Sequence, residues 1–79
     1  MRWGRKKPLT PEQIRERLGR LTQGDLFLFV ESAMMSAGEA MTAGRLAGGD
    51  KYSAGLDQAR EHLEQAVIGL ELMGERADH

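Results

Sequence analysis

Apolar residues recur along this chain at spacings of three and four, the signature of one face of an α-helix. Ile14, Leu18 and Leu21 begin the pattern. They follow Thr10-Pro11-Glu12-Gln13, in which Thr10 suits an N-cap, Pro11 a first helical position and Gln13 the reciprocal partner of a capping box. The pattern predicts a short amphipathic helix over about 11–21. Thr22-Gln23-Gly24-Asp25 reads as a break and a second cap. A long helix over about 24–47 follows, with Leu26, Phe27, Val30, Ala33, Met34, Ala37, Ala40, Met41 and Gly44 on its apolar face.

Gly48-Gly49-Asp50 is the strongest punctuation in the chain. Gly48 suits a left-handed C-cap, and Asp50 or Ser53 could cap the next helix. From there Tyr52, Leu56, Ala59, Leu63, Ala66, Leu70 and Met73 alternate by four and three, predicting a helix over about 52–75 with a bundle-type seam. So short a connection makes the second and third helices antiparallel neighbours. No segment carries the period of two that a strand requires. The expected fold is all-α: a short N-terminal helix, then a long antiparallel helical hairpin. Residues 1–8 form a basic arm, and 9–79 form one helical domain.

Both long helices hold more large apolar residues than one face needs. Leu28, Phe29 and Met35 fall off the main stripe of the second helix, and Ile68 and Leu72 lie four apart on the third. The first helix can cover part of this surface. A second subunit covering the rest would give a four-helix-type bundle, so a homodimer is expected. The glycines have a similar reading. Gly44 suits a close approach of Ala33, Ala37 and Ala40 to Ala59 and Ala66, whereas Gly69 has no evident role in the pattern.

Length supports the same expectation. A 79-residue chain is one small domain and buries only about 60% of its unfolded surface. It has no Cys, which excludes disulfide staples, thiolate zinc sites and thiol catalysis. The longest apolar run, Leu26 to Val30, is far too short to span a membrane, and the basic start is followed by Pro8 and Pro11 rather than a signal-type apolar stretch. A cytoplasmic setting is therefore expected. The net charge of −1 hides two opposed blocks: residues 1–23 carry +5 and residues 24–79 carry −6.

Candidate chemistry is sparse. Glu61, His62 and Glu64, with Glu31 and Glu39, are the only grouping with metal-ligand character, and the Glu-x-x-His spacing of carboxylate-bridged bundle sites is missing. A metal-binding bundle is thus a minor reading, and no cofactor is expected. No nucleophile, base and orienting group can be assembled, so the chain reads as non-catalytic. The expected function is a small interaction or regulatory protein acting by binding another protein, with Phe29, Met35, Ile68 and Leu72 as apolar contacts. The arm residues Arg2, Trp3, Arg5, Lys6 and Lys7 would act electrostatically. The alternative is nucleic-acid association through that arm, with Lys and Arg neutralising phosphates, Trp3 stacking on an unpaired base, and Arg15, Arg17 and Arg20 extending the basic surface.

Overall fold

A computed structural model describes residues 9–78, and among these the only regular elements are three helices: α1 (Pro11–Leu18), α2 (Gln23–Ala47) and α3 (Asp50–Ala77). The capping box forms as expected. Thr10 Oγ1 accepts the Gln13 N–H at 3.2 Å, and Gln13 Oε1 accepts the Thr10 N–H at 3.0 Å. α1 is shorter than its apolar pattern, because Gly19 caps it and Leu21 follows in a turn, half-buried against the core. The second cap also forms, with Thr22 Oγ1 accepting the Asp25 N–H at 3.1 Å.

The α2–α3 connection is two residues long. Gly48 and Gly49 have φ of 73° and 56°, with ψ of −174° and −135°, conformations that only glycine adopts without strain. Neither Asp50 nor Ser53 caps α3. The N-cap is Gly49 with no side-chain hydrogen bond, and Asp50 instead places its negative charge in the first turn, where the helix dipole favours it. The turn is too tight to present a capping side chain.

The hairpin seam runs along the expected face of α2, whose buried residues all lie on it, and shifts the expected phase of α3. The buried line on α3 is Gly55, Ala59, Ala66, Gly69 and Leu72, and that on α2 is Leu26, Val30, Ala33, Ala37 and Gly44. Of the large members of the predicted stripes, Leu26 and Val30 are buried, whereas Tyr52, Leu56, Leu63 and Leu70 on α3 with Phe27, Met34 and Met41 on α2 are exposed. Small residues won because they let two backbones approach closely. A β-carbon on Gly55 would lie 2.6 Å from the Ala40 carbonyl oxygen and 3.0 Å from Gly44 Cα, and one on Gly44 would lie 2.8 Å from the Lys51 carbonyl oxygen. The two glycines face each other, and no other residue fits at either position. Gly69 gains a role too. A β-carbon there would lie 2.5 Å from Val30 Cγ2, so Gly69 is the hole that receives Val30 beside Leu26 and Leu18. These contacts fix an antiparallel register, with Gly44 against Gly55 and Val30 against Gly69.

Away from the loop the packing changes character. α1 lies along the C-terminal part of α3, and Leu18, Leu26 and Leu72 form an aliphatic core flanked by Ile14, Leu21, Phe29, Ile68 and Met73. Polar contacts pin the corner. Arg15 Nη2 donates to both carboxylate oxygens of Glu75, at 2.5 and 2.6 Å, and Arg76 donates to the Gly19 carbonyl at 3.0 Å and to Gln23 Oε1 at 3.4 Å. The Cα atoms extend only 15 Å along the shortest axis, which makes the protein at most about two helices deep.

Candidate functional site

Turning α3 so that its small residues meet α2 swings its large residues onto one open face of the hairpin. The register places Phe27 at nearly the height of Leu70, Met34 at that of Leu63 and Met41 at that of Leu56. On each helix the three residues are seven apart, so they stack in a straight row. The result is a ladder of three apolar rungs about 10 Å apart. Its six side chains are 41–54% exposed, each with one flank against the hairpin and the other in solvent.

The ladder continues at both margins. Val67 widens it beside Leu63, and Tyr52 lies past Leu56 toward the loop, where it lines a hollow with Gly38, Met41 and Arg45. Beside α1, a groove of about 600 Å³ runs from Leu9, Pro11 and Ile14 across Leu63 and Val67 to Leu56 and Met41. Among the described residues its walls are almost wholly apolar, with Arg60 and Glu64 as the charged side chains. Such a lining excludes water from apolar partners but offers no donor–acceptor array to orient a reacting substrate.

The residues expected to contact a partner fall in different places. Leu72 is buried, and Phe29 and Ile68 are half-buried in the core that α1 completes. Met35 is 67% exposed on the outer side of α2, in line with Leu28, and Leu46 lies nearby. Arg2, Trp3, Arg5, Lys6 and Lys7 lie outside the described residues. Of the arginines expected to extend the arm, Arg15 is engaged by Glu75, and Arg20 lies 3.7 Å from Glu16. The hydrogen bond and the charge of Glu75 raise the Arg15 pKa above its ordinary value.

Among the described residues no three His, Asp or Glu side chains gather as a metal site, and no helix is long and apolar enough to cross a membrane. His62 is half-buried at the edge of the seam. The residues that sequence reasoning misplaced are the ladder itself, which it assigned to the hairpin interior. A second 4–3 line through Gly55, Ala59, His62, Ala66, Gly69 and Met73 runs beside the large-residue line, and that coincidence was the available signal.

Comparison of the chain with known protein families, curated proteins and solved structures finds no match.

Proposed function

We propose that this chain is a small, non-catalytic helical interaction protein that acts by binding another protein and associates with itself in doing so. The observation that carries the reading is the three-rung apolar ladder. Six large side chains, about half exposed and aligned on one face, form a larger apolar patch than a monomer usually leaves in water. Their strict seven-residue spacing is the pattern by which a helical surface receives other helices. The almost wholly apolar groove beside the ladder supports protein contact over turnover of a small polar substrate.

In-cell photocrosslinking tests this. A photoreactive phenylalanine analogue at Leu63 or at Met35 should yield discrete protein adducts when the cells are irradiated. Absence of any adduct at either position would remove the reading.

A further inference from the structure

We propose that the groove beside α1 is the docking site of residues 1–8 of this same chain, with Trp3 seated at its Met41–Leu56 end and Arg2, Arg5, Lys6 and Lys7 set along the acidic side of α3. This rests on the reading of the chain as an interaction protein and deepens it. The apolar face then has a competitor in its own sequence, and the arm must leave before a partner covers Leu56, Leu63 and Val67.

The first argument is where the arm is attached. Leu9 and Pro11 both line the groove. α1 runs in the same sense as α3, because Ile14 shares the groove with Ile68, Arg15 reaches Glu75, and the Gly19 carbonyl accepts from Arg76. The N-terminus of α1 therefore points toward the hairpin loop, the direction in which the groove runs to Leu56 and Met41.

The second argument is length and volume. Trp3 precedes Leu9 by six residues, which extend to about 20 Å. From Ile68 to Leu56 is twelve residues of helix, about 18 Å. The arm is thus long enough to carry Trp3 to the loop end of the groove. Its volume of about 600 Å³ suits a drug-sized molecule and has room for an indole ring.

The third argument is charge. Residues 1–8 carry four cations and no acid. From Asp57 to Glu71, α3 carries Asp57, Glu61, Glu64 and Glu71 against the single cation Arg60. Asp57, Glu64 and Glu71 are seven apart, so they form one row, and Glu64 in that row lines the groove. The neighbouring elements do not cancel this excess: α1 has Glu12 and Glu16 against Arg15 and Arg17, with Arg15 already held by Glu75, and Arg45 of α2 stands past Met41. Opposite charge fixes the register of an extended segment on such a surface. A basic, aromatic segment of another protein would find the same complement, but attachment at the groove gives this chain's own arm a millimolar effective concentration.

Trp3 is the only tryptophan in the chain, so its fluorescence reports the arm. In the wild type, acrylamide should quench it about threefold less efficiently than in Leu63→Lys, because a seated indole loses most of its exposed area. Glu64→Lys, at an exposed position, should raise quenching too, as should about 1 M salt, whereas Met35→Glu on the outer side of α2 should not. All four chains should keep the same helical circular dichroism, and protection should be independent of protein concentration. Trp3 quenched equally in the wild type and in folded Glu64→Lys and Leu63→Lys overturns the docking. Protection lost on dilution shows an arm supplied by a second copy and overturns docking within the chain. Adding Trp3→Ser to the full chain should raise the yield of Leu63 photoadducts about twofold or more, by freeing the groove. An unchanged yield overturns the competition. Photoadducts with an unprotected Trp3 leave the interaction reading intact and remove the docking, whereas a protected Trp3 without any adduct at Leu63 or Met35 removes the interaction reading and leaves the docking.

Discussion

The two ends of the hairpin are held by opposite means. At the loop end, Gly44 and Gly55 bring two backbones into contact, Gly48 and Gly49 make the turn, and no large side chain is buried. At the other end Leu26 is fully buried, Leu18 and Leu72 close around it, and Val30 fills the space above Gly69. The first end excludes water by removing side chains, the second by inserting them. Dispersion and burial therefore concentrate near α1, while the loop end depends on shape alone. A helix pair joined through its small residues must also turn its large ones outward, so the glycine seam and the open ladder have one cause.

Substitutions can break this contrast in graded order. Leu26→Ala removes the one fully buried large side chain among the described residues and should cost about 3 kcal/mol, within the 2–5 kcal/mol range for such truncations, read as a lower urea midpoint. Gly55→Ala comes next. Elsewhere in a helix this change stabilises by about 1 kcal/mol, but here the added methyl meets backbone at 2.6 Å and should destabilise by about 2 kcal/mol. Gly74→Ala, where a β-carbon meets nothing within 4 Å, should shift the midpoint the other way. A Gly55→Ala variant as stable as the wild type would show that the loop end is not backbone-tight.

Thr10→Ala should cost about 1 kcal/mol by opening the capping box, and it should expose the α1 end to hydrogen exchange before the loop end. The smallest effect belongs to Arg15→Ala, because the pair with Glu75 is open to solvent and screened by salt. Its pH dependence has a definite sign. The folded-state pKa of Arg15 is raised, so the stabilisation it contributes is complete below the ordinary arginine pKa and is lost only as pH rises beyond it. Titration of Arg15 should therefore contribute no slope to stability between about pH 6 and pH 10 in urea unfolding followed by circular dichroism.

Much of the local structure was legible in the amino-acid order. Thr10 and Gln13, Thr22 and Asp25, and Gly48 with Gly49 mark the helix limits through hydrogen bonds and dihedral angles that depend only on near neighbours. The close approach at Gly44 was legible as well, since a small residue on an apolar stripe has few other uses. The candidate site was not legible: the surplus residues Leu28, Phe29, Met35, Ile68 and Leu72 include none of the six rungs, which the pattern placed inside the hairpin. The large residues of the ladder were evident, and the face they occupy was not. Gly69 was opaque for the same reason, because its role exists only once Val30 arrives from a residue thirty-nine positions away.

The sequence by itself determined three helices, the N-caps of the first two, the place of the turn between the second and third, and a heptad period. The period is a property of one helix and is written in that helix. Only the tertiary structure decided the phase. On α3 two adjacent lines share the 4–3 spacing, one of large residues and one small, and each would satisfy the same pattern. The choice between them depends on how closely α2 can approach, which is a property of two surfaces together. Close approach along the small line won, and it left Leu56, Leu63 and Leu70 facing outward with Phe27, Met34 and Met41.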